Sequence, residues 1–203
     1  TQADIKPISI TTTNKIIAIG ASTGGTEAIK EVLVRLPANT PGIVMVQHMP
    51  PVFTTAFAER LNNLCKMQVK EAKDGDVVLP GVALLAPGDY HMVLRREGAR
   101  YFVRIKEGPQ VWHQRPAVDV LFKSVSEFAG KNALGVLLTG MGRDGAQGMQ
   151  LMKNNGAINI AQDEKSCVVY GMPKSAVELG VVDYVENLFD IPDKIINLIN
   201  EKL

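Results

Sequence analysis

Three polar residues stand just past the ends of three apolar runs: Ser22 after Lys15–Gly20, His48 after Ile43–Gln47, and Asp144 after Ala133–Thr139. A hydroxyl, an imidazole and a carboxylate are the groups of nucleophilic acyl transfer. Imidazole takes a proton near neutral pH, the hydroxyl becomes the nucleophile, and the carboxylate orients the ring. Ser22 sits in Gly20-Ala-Ser-Thr-Gly24, which matches G-x-S-x-G between an expected strand and an expected helix, the context that marks a nucleophile elbow. Of the three histidines, His91 falls inside an alternating strand pattern and His113 on a loop. His48 is the expected base, because one helical crossover should place its strand beside that of Ser22. Asp144 then accepts the His48 Nδ1–H and holds the ring in its working tautomer. Each residue also has a plainer reading. Ser22 caps the following helix, His48 is a hydrogen-bonded structural histidine, and Asp144 caps the helix that starts near Gly145.

The elements that must position these groups alternate. Strands are expected at 15–20, 43–47, 67–71, 82–86, 133–139, 157–161 and 167–170, and helices at about 26–36, 53–65, 117–129, 146–155, 173–179 and 191–202. Between them, two alternating runs in His91–Ile105 flank Glu97-Gly98, a hairpin signal. The expectation is an α/β fold: a doubly wound, mostly parallel sheet with helices on both faces and an added antiparallel hairpin. In such sheets chemistry collects outside the carboxyl ends of the strands, where Ser22, His48 and Asp144 all fall.

A rival reading lies in the same residues. Gly140-Met-Gly-Arg-Asp-Gly145 matches the dinucleotide fingerprint G-x-G-x-x-G, and Asp163 follows 18 positions after Gly145, near where a ribose-binding acid belongs. Against it, Asp144 would set negative charge beside the pyrophosphate, only about 60 residues follow the motif, and Ser22 and His48 would have no task. A third possibility is a non-catalytic regulatory piece in which these residues serve only as caps.

Composition bounds the partners. The 203 residues carry 22 basic and 21 acidic side chains, with no basic stripe that would favour nucleic acid. No apolar run approaches the ~20 residues of a membrane-spanning helix, so no membrane insertion is expected. Thr1–Pro7 has no signal-peptide core. Cys65 and Cys167 lie far apart with no metal-ligand spacing, and read as reduced thiols of a cytoplasmic protein. No metal or cofactor is expected. Residues 1–14, polar and threonine-rich, read as the end of a linker.

Six stretches together resemble the catalytic domain of the CheB family of chemotaxis protein-glutamate methylesterases: Ile17–Ile29, Gln47–Pro51, Ala86–Asp89, Arg115–Phe122, Leu138–Ala146 and Gly171–Pro173. The resemblance implies a cytoplasmic enzyme that hydrolyses γ-glutamyl methyl esters on the cytoplasmic helices of chemoreceptors, and in some members deamidates receptor glutamines. It implies Ser22 as nucleophile, His48 as general base and Asp144 as orienting acid, with Thr23, Gly140 and Met141 shaping the oxyanion pocket and no cofactor. It also implies an N-terminal receiver domain in the full-length protein, absent from these 203 residues, with residues 1–14 as the tail of the interdomain linker and residues 15–203 as the catalytic domain. A substrate on a helical bundle requires an open groove. The hairpin at 90–105 and the loop Gly108–Arg115, which carries Trp112, are its expected walls.

Overall fold

The apolar runs pair side by side as parallel strands in a computed structural model that describes residues 6–9 and 14–203. In chain order the elements are β1 (Ile16–Ala21), α1 (Gly25–Leu33), β2 (Gly42–Gln47), α2 (Phe53–Leu64), β3 (Gln68–Glu71), β4 (Val77–Val78), β5 (Val82–Leu85), β6 (His91–Glu97), β7 (Arg100–Lys106), α3 (Val118–Phe128), β8 (Ala133–Leu137), α4 (Ala146–Asn154), β9 (Ile158–Gln162), α5 (Met172–Glu178), β10 (Tyr184–Glu186) and α6 (Ile191–Glu201). Seven strands form one sheet, all neighbours parallel, in the order β10-β9-β8-β1-β2-β5-β3. The expected hairpin is β6–β7; with β4 it forms a separate antiparallel sheet in the order β4-β7-β6.

Strands β1, β2 and β8 are buried along their whole length, which is why they read as continuous apolar runs without alternation. Their side chains still alternate between faces. Ile17, Ile19 and Ala21 pack in one cluster with residues of α1, α2 and α6. Ile16 and Ala18 pack in the other, with residues of α3, α4, α5 and the small sheet. Each fully buried Ile or Leu contributes about 1.5–3 kcal/mol relative to exposure, so the central strands are the firmest part of the frame.

The connection from β1 runs outward to β2, while β8 returns to the other side of β1. The strand order therefore reverses at β1, and a crevice opens beyond its carboxyl end. The loops after β1, β2 and β8 meet there.

The elements differ from expectation in three places. The segment 167–170 is no strand; only one bridge, Gly140 to Tyr170, remains. Its backbone is taken locally instead: Val169 N donates to Thr139 Oγ1 (3.0 Å), and Val169 O accepts from Gly140 N (3.0 Å). The short β4 and β10 carried too few residues to show a period. Most of the 1–14 linker expectation falls on residues outside the described ones. Of the rest, Ser9 N donates to Asn200 Oδ1 on α6 (3.1 Å), and Ile8 is buried in the first cluster.

Candidate active site

Ser22 stands one residue past β1. Its own amide donates to Thr139 O (2.9 Å), and its carbonyl accepts from Gly25 N (2.7 Å) and from the Gln47 side-chain amide (2.8 Å). The backbone of the serine is thus fixed from β8, from α1 and from the end of β2. Close packing explains the glycines of the motif. A Cβ on Gly20 would lie 2.4 Å from Val118 Cγ1, and one on Gly25 would lie 2.1 Å from Gln47 Oε1. The motif does not bring the strained backbone of an elbow, however. Ser22 has no positive φ; the left-handed residue is Gly24, at φ 80°.

His48 follows β2, and its amide donates to Ala21 O (3.2 Å), so the ring enters the crevice beside Ser22. Its Nε2 lies 2.7 Å from Asp144 Oδ2. This corrects the expected Nδ1–H donation: the distal nitrogen meets the acid. The reason is where Asp144 is anchored. Its carboxylate, 2 % exposed, accepts Val118 N (2.7 Å, Oδ2) and Asp119 N (2.8 Å, Oδ1) at the start of α3. That position faces the far edge of the ring. Asp144 does cap a helix, but α3 rather than its own α4. His48 Nδ1 is left buried without a hydrogen-bond partner, so no bond to Ser22 is closed in this structure.

Two solvent-open cavities share Ser22, His48, Met49 and Pro50. One, of about 370 Å³, continues past Thr23 and Gln47 to Phe53. The other, of about 410 Å³, is walled by Asp89, Gln110, His113, Gln114 and Arg115. The loop at 108–115 is therefore a wall, as expected. The hairpin is not: no residue of β6 or β7 lines either cavity, because that ribbon packs over α3 in the second cluster. His91 is a structural histidine, accepting Ala117 N at Nδ1 (3.3 Å) and donating Nε2–H to Pro109 O (2.8 Å).

Gly140 packs against the serine. A Cβ there would lie 2.8 Å from Ser22 Cβ and 2.4 Å from Met172 Sδ. Its carbonyl accepts Gly171 N (3.1 Å) and Met172 N (2.8 Å). In a trans peptide this turns the Met141 N–H the opposite way. Met141 itself is 69 % exposed at the rim. The dinucleotide reading fails on the same loop. The amides at the start of α4 that a pyrophosphate would need are occupied: Gly145 N (3.0 Å) and Gly148 N (2.7 Å) both donate to Asp119 Oδ1. Asp163 closes a local turn, accepting Ser166 N (3.0 Å).

Sequence reasoning missed Gln47, Thr139, Gln162 and Asp119. Gln162 Oε1 accepts Thr139 N (2.8 Å), and Thr139 Oγ1 donates to Thr23 O (2.9 Å), bracing the turn that holds Ser22. The first three share a readable signal, a polar residue closing an apolar strand run. Asp119 had none, since it lies in the first turn of a helix where acids are common.

Known proteins resemble this chain in sequence and in fold. The family model for CheB methylesterase matches residues 17–195. Over 188 residues the chain is 65% identical to protein-glutamate methylesterase/protein-glutamine glutaminase 2 of Syntrophus aciditrophicus, covering 93% of this chain and 55% of that protein. It is 58% identical over 191 residues to the protein-glutamate methylesterase/protein-glutamine glutaminase of Sulfurimonas denitrificans, covering 94% and 54%. The chain thus spans about half the length of the curated relatives it matches. The crystal structure of the Thermotoga maritima CheB methylesterase catalytic domain superposes with a TM-score of 0.89 at 42% identity, over 92% of this chain and 100% of that one. On the matched span, the identities and the superposition, the chain belongs to the CheB methylesterase family.

Proposed function

We propose that this chain is the catalytic domain of a protein-glutamate methylesterase that removes methyl groups from glutamate side chains of chemoreceptors. The observation that carries the reading is the His48 Nε2–Asp144 Oδ2 pair at 2.7 Å, with a buried, unpartnered Nδ1, in the crevice that holds Ser22. Buried polar atoms are rarely left without partners, and on this reading the Ser22 hydroxyl supplies one when substrate is bound. Catalytic hydrogen bonds are often open before substrate binds.

On this reading Asp144 keeps the proton on Nε2, so Nδ1 takes the proton of Ser22. The serine oxygen attacks the γ-carbonyl of a methylated glutamate. The oxyanion is met by the backbone amides of Thr23 and Met141, neither of which donates to a described protein acceptor. The carbonyl re-forms, and methanol leaves with the proton from Nδ1. Water then gives a proton to the same nitrogen and attacks the acyl-enzyme; as the bond to Ser22 breaks, that proton passes to the serine oxygen, and the glutamate is freed. An amide in place of the ester gives ammonia by the same steps, which is the deamidation named for the relatives. The partners are methylated cytoplasmic helices of chemoreceptors and, in the whole protein, an N-terminal receiver domain. The site of action is the cytoplasm. No helix among the described residues is long and apolar enough to cross a membrane.

The test is methanol release from methylated chemoreceptor membranes, with wild type beside Ser22→Ala, and fluorophosphonate labelling of Ser22. Release and labelling that both vanish in the variant support the reading. An unlabelled serine in a folded wild-type domain that also releases no methanol defeats it.

A further inference from the structure

The loop that walls the second cavity is held in an unfavourable shape. Val111 and Gln114 exchange backbone hydrogen bonds (3.0 and 2.9 Å), and the two residues between them, Trp112 and His113, both have positive φ, 52° and 60°. Two left-handed central residues make a type I′ turn, a geometry normally given to Asn-Gly. A tryptophan and a histidine there are strained and persist only where the surroundings hold them. The surroundings are visible. Trp112 Nε1–H donates to Asp119 Oδ2 (2.7 Å), and the Arg143 guanidinium lies 5.3 Å from the centroid of its ring.

Asp119 serves the triad side with its other oxygen. Oδ1 accepts Gly145 N and Gly148 N, fixing the first turn of α4 directly after Asp144. One carboxylate therefore ties the cleft wall to the segment that carries the proposed orienting acid. All three of its partners are donors, on both oxygens. Only a carboxylate satisfies them; an amide must turn its NH₂ either to the indole N–H or to the glycine amides.

We propose that Asp119 is a positioning residue for the esterase reaction, holding the Trp112–His113 turn and the Asp144 segment in one register. This rests on the esterase reading given above. Trp112 then acts on substrate binding through the wall it carries (Gln110, His113, Gln114 and Arg115), while Asp119 acts on binding and on chemistry together.

The experiment uses Asp119→Asn, Trp112→Phe and the double variant, with methanol release from methylated receptor membranes and the fluorescence of the single tryptophan. Asp119→Asn should lower kcat/KM by about 10- to 100-fold, the scale of an ångström-sized misplacement, with kcat and KM both affected. Trp112→Phe should raise KM more than it lowers kcat. The double variant should be less impaired than the product of the single effects, because removing the indole donor relieves its clash with the introduced amide. Emission of Trp112 in Asp119→Asn should shift to the red and become more quenchable by acrylamide. Wild-type emission in that variant overturns the Asp119–Trp112 link, whatever the substrate proves to be. Kinetic effects that simply multiply overturn the coupling. Wild-type protein that releases no methanol counts against the esterase reading, and the fluorescence result still decides the link.

Discussion

Asp119 and Asp144 each cap the helix that the other introduces. Asp144, two residues before α4, accepts the first two amides of α3, while Asp119, in the first turn of α3, accepts Gly145 N and Gly148 N at the start of α4. The two helices can approach this closely because Gly148 has no side chain; a Cβ there would lie 2.5 Å from Phe122 Cβ. The exchange couples the helices, so neither N-terminus shifts without moving the other's acid.

Asp144→Asn is expected to lose both rate and stability. The wild-type carboxylate receives His48 Nε2–H, Val118 N and Asp119 N, three donors on two oxygens. An amide must aim its NH₂ at the ring or at the helix. Aimed at the ring, it favours the tautomer with the proton on Nδ1, which cannot serve as base. In a serine protease the matching change costs on the order of 10⁴ in kcat. Aimed at the helix, it forfeits a cap contact of about 1 kcal/mol, which lowers Tm by about 2–4 °C in a domain of this size. Methanol release and thermal unfolding of the variant check both. Activity within tenfold of wild type would remove Asp144 from the proposed triad.

The pH dependence of stability tests the burial of Asp119. Burial pushes its carboxyl above the ordinary 3.8, and the charge of Asp144 adds to the effect, against the lowering influence of its donors. The folded state then holds the proton more tightly than the unfolded chain. The contribution of Asp119 is therefore fully present below the unfolded value and is lost as pH rises through the folded one. Asp119→Asn has no such titration. Urea unfolding of both proteins from about pH 4 upward should show the stability of wild type relative to the variant falling as pH rises and then levelling. A difference that grows in favour of wild type with pH contradicts the sign.

Much of this was legible beforehand. Ile16–Ala21 and Gly42–Gln47 announce themselves because buried parallel strands are apolar on both faces, and the residue that ends each is exposed to chemistry. Ser22, His48 and Asp144 fall together for that reason. What could not be read is orientation. No spacing says which ring nitrogen meets Asp144, because that depends on α3, whose N-terminus supplies two of the acid's three donors. The caps misled for a related reason. An acid just before a helix reads as that helix's own cap, whereas here the partners are exchanged across the α3–α4 contact. The hairpin was correctly found and wrongly placed, since its alternation gives a buried face without saying what covers it.

The two cysteines should be inert in the folded chain. Burial pushes the Cys65 and Cys167 thiols up to about 11. At pH 8 only on the order of one in a thousand is the thiolate, the reactive form. Iodoacetamide should label neither in native protein over the time that labels both in urea, as read by mass. Rapid native labelling of either would mean that its cover opens readily.

Val52→Gly should raise stability while lowering activity. Val52 has φ 73° and ψ −46°, an outlier for a β-branched residue, and the residue is 78 % exposed, so little packing holds it there. A residue held in so sparsely populated a region of φ and ψ costs of order 1–3 kcal/mol. Glycine avoids that cost and gives back about 0.5–1 kcal/mol through the freedom of the unfolded chain. A net gain on the order of 1 kcal/mol should lift Tm by about 2–4 °C. The strain has a location: Val52 lies between Pro50 and Phe53, both in the wall of the cavity at Ser22. Strain kept at a site points to a geometry needed there. A relaxed turn should therefore let that wall move and reduce kcat/KM. Thermal unfolding and methanol release on the same preparation decide between the readings. A lower Tm would show that the valine side chain packs usefully. A higher Tm with unchanged kcat/KM would show that the strained turn is unrelated to the cleft.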